Sequence, residues 1–210
     1  RVPVVCPRQP SGPPDPAACT LRDSATPPSA AHVFGTDLQG CDVYANVIHG
    51  TRTSLFIGLT ATVIALLIAV VVGTLAAYYG GIADTIISRL TDVFLGFPFI
   101  LGAIIVLNSV GERTPLIVAV VLAVFSWPTL ARLVRTSVRT VRRMDYVSAA
   151  RAMGISHTRT LFTHVVPNAL GPVLAITSTM VGSISVAEST LTFLGVGLRA
   201  HSISWWLQMA

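Results

Sequence analysis

Leu55-Phe56-Ile57-Gly58-Leu59-Thr60-Ala61-Thr62-Val63-Ile64-Ala65-Leu66-Leu67-Ile68-Ala69-Val70-Val71-Val72-Gly73-Thr74-Leu75-Ala76-Ala77-Tyr78-Tyr79 lies in a run from Arg52 to Asp84 that no charge interrupts. Such a run exceeds the roughly 20 residues that carry a helix across the hydrocarbon core, so it reads as a membrane span over about 54–79. Within it Ala61, Ala65, Ala69, Gly73 and Ala77 recur every four residues. That spacing sets them on one helix face, a ridge of small side chains against which a second helix backbone can come close. The alternative for the ridge is only that Ala and Gly are common in membrane helices.

Reading outward, Gly80-Gly81 breaks the chain and a second span follows over about 85–107, bent at Pro98. Its entrance carries Asp84, Arg89 and Asp92, which face protein or water near the interface. A polar turn, 108–114, leads to a third span over about 115–135 that contains Pro128. A fourth covers about 161–187, with Pro167 and Pro172 near its start. After it come Glu188, an amphipathic stretch closed by Gly195 and Gly197, and Ser204-Trp205-Trp206, paired Trp residues of the kind that settle at a bilayer interface. The fold class is therefore all-α and membrane-embedded, with a span region over 51–210 and a separate segment over 1–50. The chain begins at Arg1 and stops at Ala210 in mid-pattern, so it reads as part of a longer polypeptide, and no signal peptide is visible.

Composition narrows the function. The chain is 52% hydrophobic and 11% charged, with a mean hydropathy of +0.72, whereas soluble domains carry roughly 25% charged residues. All 14 basic residues are Arg. Without Lys there is no P-loop, so any ATP is bound by another subunit. The net charge of +5 does not point to nucleic acid, because half of the arginines cluster between Arg132 and Arg159 beside apolar spans. A G-x-S-x-G elbow and an H-E-x-x-H pair are both absent, which weighs against an intramembrane hydrolase built on His164 with Ser183 or Ser185. No catalytic residue and no metal site is assigned.

Arg132, Arg135, Arg139 and Arg142 recur at steps of three or four and line one face as the third helix leaves the bilayer. Snorkelling toward lipid phosphates, or pairing with an acidic partner, accounts for them, and the positive-inside rule puts this end in the cytosol. Next comes Asp145-Tyr146-Val147-Ser148-Ala149-Ala150-Arg151-Ala152-Met153-Gly154-Ile155-Ser156. Asp145 is placed to cap a helix and Gly154 to close it in the left-handed conformation, giving about two turns over 146–153. So short a helix is marginal alone, and Ala149, Ala150 and Ala152 offer close approach to a partner that stabilises it. A passive channel would have no use for such a docking element. Glu188, at the edge of an apolar run, is either a functional ionisable group or the cap of a following short helix. His164 is better read as a hydrogen-bonded residue than as a proton relay.

With three spans between them, residues 1–50 lie on the side opposite the arginines. This segment holds eight of the thirteen prolines and all three cysteines, Cys6, Cys19 and Cys41. An extracytoplasmic location favours one disulfide with one thiol left over, the pairing open; three free thiols are the alternative. Turn chemistry appears at Gly35-Thr36-Asp37 and at Gly40-Cys41-Asp42.

Several blocks together resemble the permease subunits of ABC importers, in particular the dipeptide/oligopeptide/nickel group. Ser148-Ala149-Ala150-Arg151-Ala152-Met153-Gly154, ending in His164-Val165-Val166-Pro167-Asn168, is similar to that family's E-A-A-x-A-x-G signature with its I-x-L-P-N close. Phe34-Gly35-Thr36-Asp37-Leu38-Gln39-Gly40-Cys41-Asp42-Val43 resembles G-T-D-x-x-G-R-D-V, and Ala187-Glu188 through Gly197 resembles A-E-x-x-L-S-F-L-G-L-G. Tyr78-Tyr79-Gly80-Gly81 and Phe97-Pro98 match as well, so the likeness covers about 34–206. It departs from the family at Ser148, where the signature is acidic, and at Cys41, where Arg is usual. The second departure points to Cys41 as one half of the disulfide.

The resemblance implies a six-span subunit in the bacterial cytoplasmic membrane that imports di- or oligopeptides, with haem or nickel as alternative cargo. It also implies a second homologous permease, two ATP-binding subunits holding ATP and Mg, and an extracytoplasmic substrate-binding protein. Residues 145–156 would then couple to the ATPase, with Glu188, Phe193, Gly195 and Gly197 as pore or gate candidates. Gly35, Thr36, Asp37, Gly40 and Asp42 form the extracytoplasmic block.

Overall fold

A computed structural model describes Cys19, residues 23–29, 32–111 and 113–197. Cys6, most of the prolines of the first segment and Ser204-Trp205-Trp206 lie outside the described residues. The chain divides into two compact units, one running to Leu55 and the other from Phe56 to Arg199. Among the described residues every regular element is helical.

In the first unit, Asp37 Oδ1 accepts from the N–H groups of Gln39 and Cys41, both at 2.8 Å, and folds the block into a tight turn. Gly35 and Gly40 take positive φ there, and a Cβ on Gly35 would fall 2.5 Å from the Thr26 carbonyl oxygen. Thr36 Oγ1 bonds Thr26 Oγ1 at 2.7 Å and donates to the Asp23 carbonyl. Cys19 and Cys41 are joined in a disulfide across 22 residues of sequence.

Asp42 starts the first helix, α1 (Val43–Tyr79). Its Oδ1 accepts from Tyr44 N–H at 2.8 Å and Ala45 N–H at 3.3 Å, while its Oδ2 meets His32 Nδ1 at 2.9 Å. Helix α1 therefore begins well before residue 54, and the expected boundary between residues 50 and 51 falls inside it. The charge-free run marks only the part that can sit in hydrocarbon. The cap, not hydropathy, sets where the helix begins.

The second unit is built around α4 (Pro115–Arg142), which packs on α2 (Gly81–Gly96), α3 (Phe99–Ser109) and α7 (Val166–Phe193). Pro115 opens α4 under a Thr114 cap. The helix runs past residue 135, because its arginines leave the apolar region without breaking the backbone pattern. The second span is not one bent helix: α2 and α3 meet at 84°. Pro98 has no N–H to continue the ladder and holds Phe97 extended, which turns a bend into a corner. By length and composition α1, α4 and His157–Phe193 are long enough to cross a membrane, and the α2–α3 pair makes a fourth if it counts as one span.

The last span also differs from 161–187. It begins with α6 (His157–Thr160), passes through a π turn over Leu161–Val165 and continues as α7 to Phe193. Pro167 frees the Thr163 carbonyl, Asn168 Nδ2 donates to the His164 carbonyl at 2.6 Å, and Val166 N–H reaches back to the Leu161 carbonyl. The signature's Pro-Asn pair thus sits on a locally widened turn.

All five ridge residues are buried, and Ala61, Ala65, Ala69 and Ala77 share one apolar cluster with Leu122, Leu130, Val134 and Val138. A Cβ on Gly73 would lie 2.7 Å from the Ala131 carbonyl oxygen, so α1 and α4 touch backbone to backbone there.

Candidate coupling site

Between α4 and α6 sits the two-turn helix α5 (Asp145–Ala152). Its N-cap is Met144, not Asp145, and no side chain caps it; Asp145 occupies the first turn, where a carboxylate still favours the positive helix end. A residue with helical φ and ψ cannot serve as its own cap. At the other end Gly154 has φ +84°, with Gly154 N–H on the Arg151 carbonyl at 2.9 Å and Ile155 N–H on the Ala150 carbonyl at 3.2 Å. These two bonds form a Schellman closure.

Val147 and Ala150 are buried one turn apart and tie α5 to the bundle. Ala150 therefore faces inward instead of offering approach to a partner. Asp145, Tyr146, Ser148, Ala149, Ala152 and Met153 are exposed, as are Gly154 and Ser156, with Ile155 half-buried. Met153 is 74% exposed. The outer face is thus small and shallow at its centre, with Tyr146 and Met153 projecting at its two ends.

Behind this face stands a residue to which the sequence reading gave no role. Tyr78, 4% exposed at the end of α1, donates its hydroxyl to the His157 carbonyl at 2.7 Å. The Arg151 guanidinium lies 5.4 Å from its ring centroid and that of Arg142 5.7 Å, both within cation–π range. Arg142 Nη1 also donates to the Ala77 carbonyl at 3.1 Å. One aromatic side chain therefore touches α4, α5 and α6 while rooted in α1. Its only sequence signal was its place in the Tyr78-Tyr79-Gly80-Gly81 block.

The arginine face of α4 is held within the chain. Arg132 pairs with Asp92 at 2.7 Å, Arg135 Nη2 with Asp84 at 2.9 Å, and Arg139 also bonds Asp84. An acidic partner for these arginines is present in the chain itself: the acids at the second span's entrance meet them across α2 and α4. Acids at the entrance of the second expected span and arginines at the exit of the third were the signal for it.

Glu188 caps no helix either. It lies inside α7, 0% exposed, and accepts from Thr192 Oγ1 at 3.0 Å. Phe193 is exposed where α7 ends, Gly195 takes φ +73°, and a Cβ on Gly197 would sit 2.3 Å from Thr192 Oγ1. Arg113, after α3, ties this closure down by donating to the Gly195 carbonyl at 3.1 Å and to Asn108 Oδ1 at 3.0 Å.

Residues 69–210 match the family described as binding-protein-dependent transport system inner membrane component. The chain belongs to that family. This binding-protein-dependent transport component is 37% identical over 186 residues to the dipeptide transport system permease protein DppC of Bacillus subtilis, covering 89% of the chain and 58% of the relative. It is 36% identical to the glutathione transport system permease protein GsiD of Pectobacterium atrosepticum, covering 85% and 59%. With the oligopeptide transport system permease protein OppC of Bacillus subtilis the identity is 34%, covering 91% and 62%. The chain therefore spans about three-fifths of the length of these relatives.

Proposed function

We propose that this chain is the transmembrane permease subunit of an ATP-driven importer of di- or oligopeptides, multi-pass in the bacterial cytoplasmic membrane. The observation that carries the reading is a two-turn helix, closed by Gly154 and exposed on one face, within a chain of the transport-component family. Residues 136–160 would face the cytoplasm and residues 1–50 the outside, where a substrate-binding protein delivers its ligand. A second homologous permease completes the pathway, and two ATP-binding subunits hold the ATP and Mg. The names of the relatives favour peptides over haem or nickel, the alternatives that the resemblance leaves open.

In this reading α5 lies in a groove of an ATP-binding subunit, with Tyr146 and Met153 as its projecting contacts. The signature's missing acid at Ser148 is replaced by Asp145, which lies three residues away and shares its face. Closure of the ATP-binding subunits displaces α5. Val147, Ala150 and the Tyr78 contacts pass the displacement to α1 and α4, and the packed helices respond as rigid bodies. The Gly73 contact with α4 makes relative sliding of those two helices costly and a joint movement cheap.

The test is to purify the intact complex, identify the binding protein that accompanies it and measure which ligand accelerates ATP hydrolysis. Acceleration by di- or oligopeptides supports the proposal. An assembly in which cross-linkers placed at Tyr146 and Met153 reach no nucleotide-hydrolysing chain would refute it.

A further inference from the structure

A polar cleft of about 450 Å³ opens where α1 ends and α2 begins, lined by Gly80, Gly81, Asp84, Arg139, Arg142 and Arg143. We propose that it holds the phosphate of an anionic phospholipid headgroup, with the acyl chains lying along α2. The charge balance favours an anion. Arg139, Arg142 and Arg143 stand against Asp84 as the one acid lining the cleft, three positive charges against one negative, leaving two in excess. Arg135 and Arg139 spend part of their donor capacity on that carboxylate. Arg142 is directed to the Ala77 carbonyl and the Tyr78 ring, whereas Arg143 is exposed and borders both this cleft and the neighbouring one beside Thr136, Thr140 and Met144.

Room for a phosphate is present as well. Gly80 and Gly81 line the cleft without side chains, and a Cβ on Gly81 would meet no atom within 4 Å. A tetrahedral group can therefore approach the backbone closely.

What selects a lipid over a free phosphate is the surface leading away from the cleft. Ile82, Ile86, Leu90 and Val93 are exposed at 80%, 61%, 46% and 61% and follow one another at steps of four, four and three along α2. An apolar stripe that begins at an arginine-lined cleft matches a molecule with a charged head and a hydrocarbon tail. Basic clefts between helices at the membrane surface take anionic headgroups on the same principle.

This inference does not depend on what the protein transports. The full-length permease, purified in its complex, is placed in nanodiscs of phosphatidylcholine with or without phosphatidylglycerol. The lipids retained after detergent extraction are then counted by mass spectrometry. Phosphatidylglycerol should be retained over phosphatidylcholine, and Arg143→Gln should weaken its retention about fivefold, the effect of one Arg beside an anionic group. Ile82→Ser with Ile86→Ser should weaken it too, while millimolar inorganic phosphate leaves it in place. Arg89→Gln, which removes an exposed charge from the same helix outside the cleft, serves as the control and should change nothing. Equal retention of the two lipids, or no change in Arg143→Gln, overturns the proposal. Displacement by inorganic phosphate with no effect of the serine pair would make this a free-anion site and also overturn it.

Discussion

At Tyr78 a single hydroxyl joins the end of one long helix to the start of another, and its ring is flanked by two guanidiniums from the segment between them. Tyr78→Phe removes only the hydrogen bond, a loss of about 1 kcal/mol, and keeps the stacking. The complex should therefore assemble and hydrolyse ATP, while the amount of peptide taken up per ATP falls; an unchanged ratio in proteoliposomes would contradict the role given to this residue. Gly154→Val acts on the neighbouring closure. Its Cβ would meet no atom within 4 Å, so the cost is that of the left-handed backbone alone, about 1–3 kcal/mol for a β-branched residue. ATP hydrolysis without matching uptake is the expected outcome, measured in the same vesicles. The glycine was legible from its position after a short amphipathic stretch, because local chemistry decides a helix end. Tyr78 was not, because its partners lie up to 79 residues away in sequence.

Among the elements, α2 and α4 are joined by charge and α1 and α4 by close backbone contact. Asp84 is 13% exposed and its partner Arg135 25%, which puts the pair between an exposed ion bridge and a buried one. Asp84→Asn should therefore destabilise the permease by about 1–3 kcal/mol, read as a lower melting temperature in detergent. Adding Arg135→Gln should restore part of the loss, since it removes the unpaired charge. Gly73→Leu forces a side chain into the space of the Ala131 carbonyl, an overpacking of about 1–3 kcal/mol that should also lower the melting temperature. The spans themselves could be read because hydropathy is summed over many residues. Their ends could not: α1 starts at an Asp42 cap, α4 runs on through its arginines, and Glu188 lies inside α7. The corner at Pro98 was underestimated for a related reason, as proline identifies a break but packing decides its angle.

On the scale of the whole chain, two compact units carry different kinds of stabilisation. The unit ending at Leu55 has a short helical start, a network of turn hydrogen bonds and the Cys19–Cys41 link. A closed loop of 22 residues confers about 3 kcal/mol, so Cys19→Ser should make this segment more susceptible to proteolysis while the span region keeps its melting temperature. The unit from Phe56 onward rests on apolar helix packing, where loss of that link has no direct effect. Between α2 and α3, one further property follows from the 84° corner. Helices of 16 and 11 residues measure about 24 and 16 Å, each short of the roughly 30 Å of hydrocarbon. Phe97 N–H is satisfied by the Phe94 carbonyl and the Pro98 carbonyl by Gly102 N–H, so the corner keeps backbone polar groups paired where lipid supplies no partner. Ser126, Thr129 and Ser183 line a space of about 510 Å³ beside it, and they bring polar side chains to the corner among the rings of Phe94, Phe97, Phe99 and Phe125.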